Sequence, residues 1–150
     1  MTTHAPKTEA EAADIILKAS KAGTSLRIQG GGTRSSIGQN IATDEVLSTK
    51  NLSGITMYEP AEMVLAAKAG TPVAEIQKAL ADNKQMLTFE PMDHSALLGT
   101  KGSPTIGAVV AGNISGPRRI YGGAARDSLC LLYTSPSPRD QRGSRMPSSA

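Results

Sequence analysis

Ser25-Leu26-Arg27-Ile28-Gln29-Gly30-Gly31-Gly32-Thr33-Arg34-Ser35-Ser36-Ile37-Gly38 runs from an alternating apolar stretch straight into three glycines. Leu26 and Ile28 fall on one face of a short strand over 25–29, and the loop after it has what a diphosphate needs. Consecutive amides are free to turn inward, no Cβ blocks approach, and the Thr33, Ser35 and Ser36 hydroxyls add donors. Arg34 can add a positive charge. The spacing is not the G-x-G-x-x-G of a Rossmann unit, because Ser35 stands where the third glycine belongs and no helical pattern follows at once. Nor is it a P-loop, since no Gly-Lys-Ser/Thr is present. Taken alone, the turn suits an ordinary surface loop equally well.

Upstream, Thr8 and Glu11 have the form of a capping box, and Ala12, Ile15, Ile16 and Ala19 recur at helical spacing until Gly23. Downstream, 46–48, 55–58 and 63–69 read as short strands, the second closed by Pro60 and the third by Gly70. Thr71 as N-cap, Pro72 at the first helical position, and Val73, Ile76 and Leu80 predict a helix ending near Asn83. Residues 86–89 then read as another strand. The run 105–111 is too short for periodicity to settle, but Ser103 and Pro104 favour a helix start there. The order of elements gives an α+β class and not a regular strand–helix alternation.

The chain of 150 residues suits one compact domain. With one Phe and no Trp, the core must be built from Ala, Val, Ile, Leu and Met, and Met57, Met63, Met86 and Met92 are expected to fill gaps in it. Cys130 is the only cysteine, which excludes an intrachain disulfide and a Cys-based metal cluster and fits a reducing compartment. No apolar run approaches the roughly 18 residues of a membrane span, and no signal-like stretch opens the sequence. The net charge of +3 sits mostly in the tail, where three arginines against Asp140 leave +2 within 131–150 and +1 elsewhere. With so few aromatics to stack bases, nucleic acid is a poor fit as partner.

A second small-residue constellation gives the glycine loop its meaning. Thr105-Ile106-Gly107-Ala108-Val109-Val110-Ala111-Gly112-Asn113 is followed by Ser115-Gly116-Pro117-Arg118-Arg119 and then by Tyr121-Gly122-Gly123-Ala124-Ala125-Arg126-Asp127. With Tyr58-Glu59-Pro60-Ala61-Glu62-Met63-Val64, Ala69-Gly70-Thr71-Pro72 and Phe89-Glu90-Pro91, these stretches resemble the vanillyl-alcohol-oxidase superfamily, the PCMH-type FAD-binding fold. Within it, residues 11–129 are similar to the FAD-binding E subunits of bacterial glycolate oxidases. The resemblance implies a partial PCMH-type domain over 8–130, made of an amino-terminal α/β subdomain and part of the second subdomain. It implies non-covalent FAD, because Thr33 stands where covalently linked members carry His. It places Gly30, Gly31, Gly32, Thr33, Arg34 and Gly38 at the pyrophosphate. Gly107, Ser115 and Gly116 would line the ribityl and diphosphate path, and Arg126 with Asp127 matches the family's Arg-Asp pair. Ala108 departs from the second glycine that many relatives carry.

The same resemblance implies a complex that oxidises glycolate or D-lactate, with a sister FAD-linked catalytic subunit and an iron-sulfur subunit. The setting would be cytoplasmic, reaching a membrane only through partners. Two other readings stay open: an assembly subunit that keeps the fold without flavin, and a nucleotide-phosphate-binding module without redox activity. No catalytic residue and no metal ligand is assigned. Asp93-His94 could form a substrate-side acid and base, though such a pair in a loop is more often a solvated turn, and Arg118-Arg119 suits an exposed basic pair as well as a phosphate or subunit contact. From 131 onward, Ser and Pro replace apolar periodicity, so disorder is expected. The wording Leu132-Tyr133-Thr134-Ser135-Pro136-Ser137-Pro138-Arg139-Asp140 resembles translated sequencing-adapter read-through, so this tail is expected to be non-native. The chain by itself is expected to bind FAD weakly or not at all, since the family's domain continues further.

Overall fold

The computed structural model describes residues 2–39 and 42–129. Cys130 and the 131–150 tail, including its expected disorder, lie outside the described residues. Three strands, β1 (Thr2–His4), β2 (Leu26–Gln29) and β3 (Glu45–Ser48), form a parallel sheet in the order β1-β3-β2. Helix α1 (Glu9–Ala22) makes the crossover from β1 to β2. Its N-terminus follows the predicted box in part: Glu11 N–H donates to the Thr8 hydroxyl at 3.2 Å, while the Glu11 carboxylate accepts from Lys7 N–H at 2.7 Å and not from the cap residue itself. Gly23, at φ 68°, ends the helix, and Thr24 N–H returns to the Ala19 carbonyl at 2.9 Å.

β1 has no signal in the sequence, because three residues are too few to show alternation. Its pairing with β3 is reinforced by His4 Nε2 and Glu45 Oε2 at 2.9 Å. The other edge is fastened where β2 and β3 begin. Asp44 accepts from the Ser25 hydroxyl at 2.7 Å and from Ser25 N–H at 2.9 Å, and Asp44 N–H donates back to Ser25 Oγ at 3.0 Å. These bonds, the hydroxyl's first, hold the Asp44 carboxyl below the usual carboxylate range. A depressed folded-state value gives stability that is present above the unfolded value of about 3.9 and lost as pH falls through the folded one. Asp44→Asn should therefore lower the urea midpoint at pH 7 and lower it progressively less as pH falls below the unfolded value; a difference that stays constant with pH would refute the assignment.

The strands β4 (Ile55–Glu59) and β5 (Val64–Ala67) form a separate antiparallel hairpin with a register shift between Ile55 and Met57. Helix α2 (Val73–Asp82) follows and buries Val73, Ile76 and Leu80, the three positions its spacing predicts. Its cap lies one residue later than expected: Pro72 is the N-cap, because Thr71 is wholly buried and engaged elsewhere. The Thr71 hydroxyl accepts from Gly54 N–H at 2.9 Å and lies 2.7 Å from the Lys68 carbonyl, to which it donates, while its own carbonyl accepts from Ile106 N–H at 2.9 Å. Thr71→Val keeps the shape and the Ile106 bond but strips the hydroxyl's partners, Gly54 N–H and the Lys68 carbonyl, so a loss of about 2 kcal/mol is expected, read as a lower urea midpoint at constant slope.

The chain from 83 to 129 is mostly turns, with short helices α3 (Ser95–Leu98), α4 (Ile106–Ala111) and α5 (Arg119–Gly122) and a 3-10 turn over Ala125–Ser128. The expected strand at 86–89 does not form. Its backbone is used by a turn, Glu90 N–H to the Leu87 carbonyl at 3.2 Å, and by Gly116 N–H, which donates to the Phe89 carbonyl at 2.8 Å. The expected helix at 106–111 does form, and Val109, fully buried, packs with Val73, Phe89 and Ala125. This cluster, with Leu87, Ile106 and Ile114 around it, is the core under the loops. The methionines do not contribute to it: Met57, Met63, Met86 and Met92 are all exposed. Met57 lies on the open face of a two-stranded hairpin, Met63 is in its tight turn at φ 56°, and the other two lie on irregular segments. Ile28 is likewise exposed, on a face of β2 that no described element covers.

Candidate functional site

The ladder between β2 and β3 closes with Thr49 N–H donating to the Gln29 carbonyl at 2.9 Å, and the chain turns immediately into the glycine loop. Gly32 at φ 76° and Gly38 at φ 90° take the left-handed backbone that the loop needs. Ser35 N–H and Ile37 N–H close successive turns onto the Gly32 and Arg34 carbonyls. The amides of Gly31, Gly32, Thr33 and Arg34 donate to no protein acceptor among the described residues. A run of unpaired backbone N–H groups around a left-handed residue is the arrangement that receives anionic oxygens.

Gly30 and Gly31 have a role that composition does not reveal. A Cβ on Gly31 would run into the Ser103 carbonyl, its carbon 2.8 Å away, and one on Gly30 would meet the Thr105 hydroxyl. On the facing strand of chain, a Cβ on Gly102 would strike the Gly31 carbonyl. The absent side chains therefore admit the protein's own 102–105 segment, and Thr100 Oγ1 ties it down by donating to the Thr33 carbonyl at 2.9 Å. Thr33 and Thr105 are both buried, 3% exposed, and Thr105 Oγ1 has no hydrogen-bond partner among the described residues. Thr100, Ser103 and Thr105 were outside the expected site; hydroxyl residues recurring around Gly102 are the signal that finds them.

Arg34 turns toward the protein. Its Nε donates to His94 Nδ1 at 3.2 Å and its Nη2 to the Met92 carbonyl at 2.9 Å, while Nη1 is enclosed without a partner among the described residues. Burial draws the guanidinium below its ordinary value, opposed by the charge on Asp93. Asp93 itself caps Ser95 N–H at 2.9 Å, and this bond is the main cause holding its carboxyl below the usual range. Asp93 and His94 are thus part of a turn and of the Arg34 contact.

The remaining expected residues lie on α4 and in the chain just beyond it. Gly107 admits Ala69, whose carbonyl accepts from Gly107 N–H at 2.8 Å. The Ser115 hydroxyl accepts from Ala125 N–H at 2.9 Å, and Gly116 seats against Glu90, where a Cβ would lie 2.8 Å from its carbonyl oxygen. Asp127 caps Ala124 N–H at 2.8 Å and stands 3.6 Å from Arg126 Nε on an exposed surface. Asn113, which sequence reasoning passed over, accepts from Arg126 N–H at 3.0 Å; it sits at φ 46°, a conformation Asn tolerates, just past the helix. Arg118 pairs with Glu90 at 3.3 Å. The partners of Ser115, Gly116, Arg126 and Asp127 are one another's neighbours and Glu90, not the glycine loop. Thr105 and Ala108, at the start of α4, are what joins the constellation to Gly30.

A parallel β-α-β unit, a glycine loop with unpaired amides and a second glycine-rich segment packed on it define an α+β nucleotide-cofactor domain that is neither Rossmann nor P-loop. Solved structures share the fold. Two crystal forms of alkyldihydroxyacetonephosphate synthase superpose with TM-scores of 0.63, at 16% and 18% identity, over 83% of this chain and 23% and 24% of theirs. The fold is the PCMH-type one expected. In sequence, the family described as FAD binding domain matches residues 3–133, so the chain belongs to that family and FAD is its cofactor. Glycolate oxidase subunit GlcE of Escherichia coli (strain K12) is 36% identical over 104 residues, which cover 69% of this chain and 28% of that protein. The matched segment thus spans little more than a quarter of that relative's length. An unpaired amide run and a buried, unpartnered Thr105 hydroxyl beside Gly30 suit a diphosphate-bearing cofactor. No helix among the described residues is long and apolar enough to cross a membrane.

Proposed function

We propose that this chain forms the pyrophosphate-holding part of a flavin subunit in a complex that oxidises small 2-hydroxy acids, of which glycolate and D-lactate are the expected examples. The observation that carries the reading is the run of unpaired amides at Gly31, Gly32, Thr33 and Arg34, directly after a strand and set against the 102–105 segment. These N–H groups would hold the diphosphate of FAD, with Gly30 and Gly38 shaping the loop. Gly107, Ser115 and Gly116 would line the cofactor's path, with Arg126 and Asp127 beyond them. Bound FAD would supply the redox chemistry, while the protein supplies binding and orientation. The likeness to a glycolate oxidase subunit supports a place in a multi-subunit oxidase; in the division of labour we propose, a sister FAD-linked subunit oxidises the hydroxy acid and this one passes electrons toward an iron-sulfur subunit.

Thr33, buried where covalently linked members carry His, supports non-covalent attachment. Acid precipitation of the yellow intact protein should leave its flavin in the supernatant; flavin that stays with the pellet would contradict this. The substrate reading is checked by adding glycolate or D-lactate anaerobically to the purified complex. Bleaching of the flavin band is expected, and an unchanged spectrum with both acids would overturn the assignment.

A further inference from the structure

We infer that Arg34 is a positioning residue, a two-point clamp that fastens the 92–100 segment against the pyrophosphate loop, and not the charge that meets the phosphate. The inference rests on the FAD-site reading above. The 92–105 segment touches the loop at both ends. At the far end Thr100 Oγ1 donates to the Thr33 carbonyl, and Gly102, Ser103 and Thr105 pack on Gly30 and Gly31. At the near end Arg34 attaches it, through His94 Nδ1 at 3.2 Å and the Met92 carbonyl at 2.9 Å. Between them lies the short turn of α3, closed by Leu98 N–H to the His94 carbonyl at 2.9 Å and Thr100 N–H to the Ser95 carbonyl at 3.0 Å.

The guanidinium is suited to this and poorly placed for a ligand. Its planar fork reaches two acceptors of fixed separation at once, which a lysine ammonium on a flexible stem does not reproduce. The third nitrogen, Nη1, is closed off from solvent and has no partner among the described residues, so no face of the head is left free for an entering ligand. Accepting at Nδ1 also requires that nitrogen of His94 to be unprotonated, which makes His94 the second half of the clamp.

The test combines amide hydrogen exchange on FAD-free intact protein with FAD titration, for wild type, Arg34→Met, Arg34→Lys and His94→Leu. Exchange at the Leu98 and Thr100 amides should quicken by about tenfold or more in all three variants, the equivalent of one charge-assisted hydrogen bond. The Ala12 and Thr24 amides at the two ends of α1 should be unchanged. FAD affinity should fall by a similar factor in all three, the lysine variant included. Wild-type exchange at Leu98 and Thr100 in Arg34→Met overturns the inference, and so does full FAD affinity in Arg34→Lys, since a point charge would then suffice. If an Arg34 variant exchanges fast everywhere, it has lost the fold; His94→Leu, which removes only the acceptor, then decides on the same two amides. Failure of the wild type to bind FAD overturns the cofactor reading instead, while the exchange measurement, made without FAD, still decides the clamp.

Discussion

Gly31→Ala is expected to weaken FAD binding about a hundredfold while the protein stays folded. The new methyl would fall inside the Ser103 carbonyl, so either the 102–105 segment or the loop must move away. Backbone cannot yield as the end of a flexible side chain can, and overpacking of this kind costs roughly 1–3 kcal/mol of stability. The larger effect is on the cofactor. The amides of Gly31, Gly32, Thr33 and Arg34 would no longer converge, and losing one or two bonds to a charged group, at about 1.5–3 kcal/mol each, corresponds to that hundredfold change. Gly38→Ala is the comparison. It meets no atom of the described residues within 4 Å and bears the strain of φ 90°, so a loss of about 1 kcal/mol in stability and a much smaller change in affinity are expected.

Val109→Asp is expected to abolish the cooperative thermal transition. Val109 has no exposed surface and packs with Val73, Phe89 and Ala125, which belong to α2, the turn before α3 and the 3-10 turn. An unpaired carboxylate there costs several kcal/mol, which is comparable to the whole stability of about 5–15 kcal/mol for a small domain. Val109→Ala, at about 2–3 kcal/mol, should keep the fold with a lower melting temperature. FAD affinity should weaken with it, because α4 carries Thr105 and Ala108 at the end that meets Gly30. A Val109→Asp protein that melts as sharply as wild type would show that α4 is not part of the core.

What could be read from the sequence was what local signals encode. The Thr8 and Glu11 box, the strand running into Gly30, the apolar stripe of α2 and the start of α4 each depend on residues within a turn or two of one another. What escaped depends on distant pairing. β1 exists only because Thr2, Thr3 and His4 find Glu45, Val46 and Leu47. The segment 86–89 has strand-like residues but no strand edge to join, since Gly116 takes the Phe89 carbonyl. The glycines showed a loop that could accept phosphate, yet not that two of them are vacated for Ser103 and Thr105. Arg34 looked like a free cation because nothing nearby in the chain announces His94 as its partner. The methionines illustrate the converse: an apolar side chain is buried only where a second layer exists to cover it.

The most direct test of the loop's role is calorimetric titration of FAD and of riboflavin, which lacks the diphosphate, into the intact wild-type protein and Gly31→Ala. Binding through the loop amides predicts that wild type prefers FAD by about a hundredfold and that Gly31→Ala loses most of this preference while its affinity for riboflavin is kept. Equal affinity of the wild type for FAD and riboflavin, or an undiminished FAD preference in Gly31→Ala, would contradict it.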